Sequence, residues 1–282
     1  MKVAFVSGAN KGIGLALVEK LARTFGSTGF WDVYLTARNE ERGRTACSQL
    51  ENLGLKVKFH LLDVVDPGSR KSFLQFMKSQ YPDGINIAVN NAGINYKSNS
   101  NVPFGEQARV TVNTNFTETV NFTQEFLPLL AKDARVVHLG SILAASAYKK
   151  LGSQLKSKFA SPISLEELRS LMDDFVRHAE AGDAKEYGWP EDGMKFNTSY
   201  CVSKLGIVKA SMILGDSLKS DPRRIVMNVC CPGYVDTDMT DHKGTKTPAQ
   251  GADTPFYLAT LPVGVTDPVN QFVAERKVKK IF

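Results

Sequence analysis

Tyr200 and Lys204 stand four residues apart in the stretch Tyr200-Cys201-Val202-Ser203-Lys204, which reads as helix. At that spacing the two side chains share one helix face. A phenol with an ordinary pKa near about 10 is a poor acid–base group at neutral pH. A neighbouring ammonium and a bound cationic ring would stabilise the phenolate and lower that value. Ser141 closes an apolar run over residues 135–141 that reads as a strand. In open α/β sheets the carboxyl ends of strands are where ligands sit. A hydroxyl, a phenol and an amine gathered there could move a proton to a polarised oxygen.

These side chains need a frame, and the N-terminal stretch supplies its first part. Residues 3–6 are apolar, and the octet Ser7-Gly8-Ala9-Asn10-Lys11-Gly12-Ile13-Gly14 follows at once. Apolar residues then recur at helical spacing from Leu15 to Ala22. Strand, glycine-rich turn and helix thus follow with no spare residue. This arrangement points the bare N–H groups and positive end of a helix at a phosphate. Gly8, Gly12 and Gly14 serve a tight turn, room for a pyrophosphate and close packing of helix on strand. The octet alone also fits a surface loop; the remainder of the chain argues for the dinucleotide reading.

A second strand over residues 33–37 ends in Arg38, with Arg42 one helical turn on. An acidic residue at this strand end would favour NAD, and a basic one accommodates a 2′-phosphate. Arg38, Arg42 and Lys11 together favour NADPH, since guanidinium forks pair well with phosphate. The third strand, residues 57–63, ends in Asp63, placed to bond an adenine edge, to help cap the following helix, or both. A fourth strand over residues 85–89 leads into Asn90-Asn91-Ala92-Gly93. Small residues there admit a cofactor, and the asparagines can pin the loop to its neighbours. A long helix is expected from about residue 104 to 130. It contains Asn115, which by itself reads as a core hydrogen-bonder.

The 282 residues suit one α/β domain: a Rossmann-type doubly wound parallel sheet with helices on both faces. Hydrophobic content of 43% and charged content of 23% are those of an ordinary globule. The net charge of +6 comes with no dense basic stripe, so no nucleic-acid partner is expected. The sequence has no apolar run long enough to span a membrane. It begins directly on a strand, so no signal peptide is expected, and the Asn115, Asn121 and Asn197 glycosylation patterns are chance matches. Cys47, Cys201, Cys230 and Cys231 form no metal-ligand spacing and imply no disulfide framework. A cytoplasmic protein without a metal is the expectation.

The glycine octet, Asn90-Asn91-Ala92-Gly93, Ser141 and the Tyr200/Lys204 pair resemble the short-chain dehydrogenase/reductase family. The resemblance covers essentially the whole chain with its motifs in order. Pro232-Gly233-Tyr234-Val235-Asp236-Thr237-Asp238-Met239 is similar to the family loop that closes beside the nicotinamide. A helical insertion over about residues 144–197 precedes Tyr200, with a capping box at Ser164-Leu165-Glu166-Glu167. Leu165, Leu168, Leu171, Met172, Phe175 and Val176 give it an apolar stripe, and Gly188-Trp189-Pro190 closes it. The insertion, with Thr36-Ala37-Arg38 and Cys230-Cys231-Pro232-Gly233, resembles the monomeric carbonyl reductases of animals, which implies a monomer. Two departures are Ser7 in place of the usual threonine, and Gly140, expected to loosen the strand end before Ser141.

The resemblance implies NADPH-dependent reduction of ketones, aldehydes or quinones. Ser141 would bond the substrate oxygen, Tyr200 would protonate it, and Lys204 would bind the nicotinamide ribose. Asn115 would hold a water that relays protons. The implied cofactor set is Gly8, Asn10, Lys11, Gly12, Ile13, Gly14, Arg38, Arg42, Asp63, Val64, Asn91, Ala92, Gly93, Tyr200, Lys204, Pro232, Gly233, Val235, Asp236 and Thr237. The implied substrate wall is Tyr96, Lys97, Ser98, Gln107, Ser141 and Tyr234, with Lys97 either greeting a glutathione carboxylate or merely solvated. The alternatives are a narrow steroid, prostaglandin or pteridine ketone reductase, and a non-catalytic NADPH sensor.

Overall fold

The apolar run that opens the chain forms β1 (Lys2–Val6), and its residues 3–6 are wholly buried. Burial on both faces is why the run is continuous rather than alternating. The computed structural model describes residues 1–97, 99–194 and 196–282. β2 (Trp31–Ala37), β3 (Lys58–Leu61), β4 (Ile85–Asn90), β5 (Leu130–Leu139), β6 (Val226–Cys231), β7 (Phe272–Ala274) and β8 (Lys277–Val278) complete one sheet. The order is β3-β2-β1-β4-β5-β6-β7-β8. The first seven strands are parallel, as expected, but β8 runs antiparallel to β7. Glu275 and Arg276 make this exception: both have positive φ, 52° and 58°, the conformation that closes a two-residue hairpin.

Helices flank both faces. α1 (Gly12–Phe25), α2 (Glu40–Glu51), α10 (Pro248–Gly251) and α11 (Asp253–Ala259) accompany one. Leu17, Leu21, Cys47 and Leu258 meet Ala4, Val6, Leu35 and Val89 there. α3 (Pro67–Gln80), α4 (Phe104–Val112), α5 (Glu118–Phe126) and α9 (Thr198–Ser217) cover the other. On that face Phe73, Phe122 and Phe126 close around Phe5 with ring centroids 5.1 to 5.8 Å away. The chain order reverses between β2-β1 and β4, and such a switch point opens a crevice at the strand ends.

The expected helix over residues 104–130 is interrupted. α4 ends at Val112, a π-helical turn spans Asn113–Thr117, and α5 resumes at Glu118. Apolar residues continue at helical spacing through the break, so periodicity does not reveal it. β5 begins at Leu130 rather than residue 135, and β3 ends at Leu61, two residues before Asp63.

The insertion forms α6 (Leu143–Lys150), α7 (Ser153–Ala160) and α8 (Leu165–Ala181). Ser164 and Glu167 make the capping box. Leu168, Leu171, Met172 and Phe175 are buried, and Trp189 is buried with its Nε1 donating to Asp174 Oδ2 at 2.8 Å. α8 packs on α4 and α9 through two glycines. A Cβ on Gly105 would lie 2.5 Å from Glu180 Cα, and one on Gly206 2.8 Å from Met172 Cε.

Candidate active site

The turn after β1 is shaped by glycine at each step. Gly8 and Gly12 have φ of +60° and +57°, a region costly for side-chain-bearing residues. A Cβ on Gly14 would lie 2.5 Å from Asn91 Nδ2 and 2.8 Å from Ala9 Cα. The β4 loop is tied to this turn. Ser7 Oγ accepts the N–H groups of Asn91 and Ala92, both at 3.1 Å, so serine does the work expected of threonine. Asn91 Nδ2 donates to the carbonyls of Ser7 and Gly8. Asn90 Nδ2 donates to Thr123 Oγ1 and so anchors the strand end to α5. The first turn of α1 carries no acidic residue and no side-chain cap, which leaves its N–H groups for an anion.

A cavity of about 370 Å³ opens against this turn. Of the expected cofactor residues, Gly8, Asn10, Lys11, Gly12, Ile13, Gly14, Arg38, Asp63, Val64, Asn91, Ala92, Gly93, Asp236 and Thr237 line it. Leu62, Val65, Ile94, Thr114, Asp238, Met239, His242 and Pro248 line it too and were not foreseen. Asp238 and Met239 close the Pro232–Met239 motif, so extending that motif to its end would have found two of them. Pro232, Gly233 and Val235 stand off the cavity. Val235 is buried and pairs with Lys246, which fixes the path of the segment behind the lining residues.

Asp63 is a lining residue and not the helix cap. Its Oδ1 accepts the Val65 N–H at 3.0 Å, while Asp66 caps α3 through Gly68. The three expected cations do not converge. Arg38 lines the cavity, whereas Arg42 is exposed in the first turn of α2 and does not. Lys11 lines it but pairs with Asp238 Oδ2 at 2.5 Å.

Residues 236–242 form a charged strap across this opening. His242 bonds Asp236 at 2.7 Å through Nδ1 and Asp238 at 3.0 Å through Nε2. Its pKa is raised by the Asp236 hydrogen bond and then by Asp238, and Lys11 lowers that of Asp238. On the β4-loop side, Lys97 pairs with Asp241 at 2.6 Å. The strap is therefore tied both to the glycine turn and to the β4 loop.

The residues expected to transfer the proton lie beyond Gly93. A Cβ there would be 3.1 Å from Asn115 Oδ1 and 3.7 Å from Lys204 Nζ, so glycine lets cavity and catalytic helix meet. Lys204 is buried, and its Nζ donates to the Leu139 carbonyl at 2.7 Å and stands 5.4 Å from the Tyr200 ring centroid. Burial brings its pKa down to about 8. The Tyr200 pKa is raised, first by burial, while a hydrogen bond with Ser141 opposes the rise. The expected lowering calls for a bound cationic ring as well as Lys204; in the protein alone burial is the largest cause acting on the phenol. The Lys204 ammonium is held on the strand carbonyl. Ser141 Oγ accepts the Leu143 N–H at 3.1 Å. Gly140 tightens rather than loosens the strand end, because a Cβ there would lie 2.8 Å from Val229 Cγ2.

Asn115 sits in the π-turn with both ends of its amide engaged. Oδ1 accepts the Ile94 N–H at 2.8 Å, and Nδ2 donates to the Ile94 carbonyl at 2.9 Å and to Ser203 Oγ at 3.0 Å. Ser203 in turn donates to the Tyr200 carbonyl. The side chain is a brace between the β4 loop and α9, and its Oδ1 has a second lone pair with which to hold a water. Ser203 was not foreseen, although a hydroxyl between Tyr200 and Lys204 was the available signal.

The expected substrate wall is only partly assembled. Tyr234 is exposed on the strap segment and Tyr96 half-buried on the β4 loop. Lys97 pairs with Asp241, which an incoming anion would have to share or displace. Ser98 lies outside the described residues. Gln107 is buried and turned into the protein, bonded to Val102 and Asn197. No group of His, Cys, Asp and Glu suited to a metal occurs among the described residues.

A family model described as short chain dehydrogenase matches residues 2–172. The chain is 43% identical over 280 residues to carbonyl reductase (NADPH) 1 of Mus musculus, covering 98% of this chain and 97% of that protein. It is 42% identical over 283 residues to the same-named protein of Homo sapiens, with coverage of 99% and 98%. Carbonyl reductase (NADPH) 3 of Mus musculus is 41% identical over 281 residues, again at 99% and 98%. Among solved structures, salutaridine reductase from Papaver somniferum shares the fold with a TM-score of 0.83 at 24% identity, over 96% of this chain and 99% of that one. Menthone neomenthol reductase from Mentha piperita gives 0.78 at 26% identity, over 97% and 98%.

Proposed function

Since the chain belongs to the short chain dehydrogenase family, we propose that it reduces ketones, aldehydes and quinones to alcohols with NADPH. The observation that carries this reading is Gly93, which lines the cavity at the glycine turn and also abuts Lys204. One small residue thus joins a phosphate-binding cleft to the proton-transfer side chains. The glycines that keep the turn open, the uncapped start of α1 and the cavity-lining Arg38 fit a phosphorylated dinucleotide. When bound, NADPH supplies the hydride.

The chain's own residues supply the proton and its placement. Ser141 Oγ accepts the Leu143 N–H, and its hydrogen bond with Tyr200 sets the two hydroxyls side by side, where a carbonyl oxygen would receive both O–H groups. Tyr200 is kept protonated by burial, the state a general acid needs. Lys204 holds a positive charge behind it below about pH 8 and is the candidate partner of the ribose. Ile142, Tyr234 and Met239 are large apolar side chains left exposed beside Ser141 and on the strap, and they support an apolar carbonyl substrate. A glutathione carboxylate at Lys97 would have to share it with Asp241. A monomer in the cytoplasm completes the reading. α8 covers α4 and α9 with the chain's own residues, and the four cysteines are all free.

The test is NADPH oxidation with menadione, phenanthrenequinone, isatin and a prostaglandin, beside NADH. Turnover with NADPH, reduced by about 10²–10⁴ in Tyr200→Phe with binding retained, is the expected result. Tight NADPH binding without turnover of any carbonyl would leave a sensor instead.

A further inference from the structure

We infer that Gln107 is a positioning residue for Tyr200 that acts through the cap of α9, and that it is not part of the substrate wall. The inference rests on the reading of Tyr200 as proton donor. α9 begins at Thr198, and its cap is Asn197, whose Oδ1 accepts the Tyr200 backbone N–H at 3.0 Å. An asparagine amide has an acceptor half and a donor half of nearly the same shape. Turned the other way, it would present N–H to N–H at Tyr200 and the cap would be lost. Gln107 decides which way it faces. Its Oε1 accepts from Asn197 Nδ2 at 2.6 Å, which leaves Oδ1 for Tyr200.

The orientation of Gln107 is fixed in its turn. Its Nε2 donates to the Val102 carbonyl at 2.7 Å, and a backbone carbonyl can only accept. Polarity therefore runs one way from Val102 through Gln107 and Asn197 to the backbone of Tyr200. Gln107 is 6% exposed, so water cannot readily replace either bond. The relay also crosses elements: Val102 belongs to the loop after β4, Gln107 to α4 and Asn197 to the start of α9. It thereby fixes the first turn of the helix that carries the phenol, against the same β4 loop that lines the cavity.

The experiment compares wild type, Gln107→Leu, Asn197→Ser and the double variant Gln107→Leu/Asn197→Ser. Serine caps as well as asparagine but has no amide to orient. Steady-state kcat and KM are measured for NADPH and for menadione and isatin, which differ in size. Gln107→Leu should lower kcat about five- to tenfold, the equivalent of one helix cap, with all KM values unchanged. Asn197→Ser alone should stay near wild type, and the double variant should recover to within about twofold of it. A Gln107→Leu variant with kcat intact, with KM changed differently for the two substrates, or without rescue by serine overturns the inference. If Gln107→Leu does not fold, Gln107→Asn, too short to reach both Val102 and Asn197, takes its place with the same expected outcomes. Absence of turnover in wild type, or full turnover in Tyr200→Phe, would instead overturn the functional reading on which this rests.

Discussion

Lys11 Nζ lies 2.5 Å from Asp238 Oδ2, so the cation of the glycine turn is already matched by an anion from the opposite wall of the cavity. Both groups are more than half exposed, and such a pair contributes only up to about 1 kcal/mol. A 2′-phosphate must share or displace it. Asp238→Asn should therefore tighten NADPH binding by up to about fivefold, the factor that energy allows, and leave NADH unmoved. The gain should shrink as salt is raised, because exposed charges are screened. Fluorescence titration with both cofactors checks this. An equal change for NADPH and NADH would mean that Asp238 shapes the strap and does not compete for Lys11.

Lys204 gives a pH dependence with a definite sign. Burial sets its folded pKa at about 8, below the ordinary lysine value of about 10.4. Activity that relies on its charge should decline as pH rises through about 8, seen as an alkaline limb in kcat/KM. Stability should move the other way. Between the folded and unfolded pKa values the unfolded chain binds more protons, so this group's contribution to stability rises with pH across that window. Urea unfolding near pH 7.5 and pH 9.5 should show this as stability that gains more, or falls less, with pH in wild type than in Lys204→Met. Buried Cys47, Cys201 and Cys230, with raised pKa values, pull both proteins the other way.

The seat of α8 on α4 is the tightest contact of the insertion, with Gly105 against the Glu180 backbone. A methyl there has no flexible side chain to push aside. Gly105→Ala should cost about 1–3 kcal/mol by overpacking. For a chain of this size each kcal/mol lowers Tm by roughly 2–4 °C. Calorimetry would detect the shift. An unchanged Tm would show that the two helices can part without loss.

How much of this was legible in the sequence depends on how far apart the interacting residues lie. The glycine turn could be read because strand, turn and helix are contiguous and each glycine answers a local constraint. Tyr200 and Lys204 could be read because helical spacing puts them together. Lys11, Lys97 and Gln107 were recognised as residues that could meet a ligand, and their partners were not. Asp238 is 227 residues from Lys11, and Asn197 is 90 from Gln107, so no local pattern joins them. Asn115 could be read as a core hydrogen-bonder, but its partner Ser203 lies 88 residues on, beyond any local pattern. The doubly wound parallel sheet and the insertion's capping box survived. The helix break at Asn113 did not show, because apolar residues continue through it.

That break acts as a change of phase. A π-turn adds a residue to the helical repeat, so everything after it is rotated about the axis relative to what came before. Ahead of the turn, Ala108 and Val112 face the core built by the insertion and α9. Behind it, Val120 still meets that core, while Phe122 and Phe126 face the aromatic core around Phe5. One length of chain thereby serves two cores, and α5 alone reaches both. Asn115 stands at the rotation itself, where its amide is turned toward Ile94 and Ser203 rather than into either core. Its position is set by the mismatch between two helical phases, in the way that a dislocation exposes a site which neither of the crystals it joins would present.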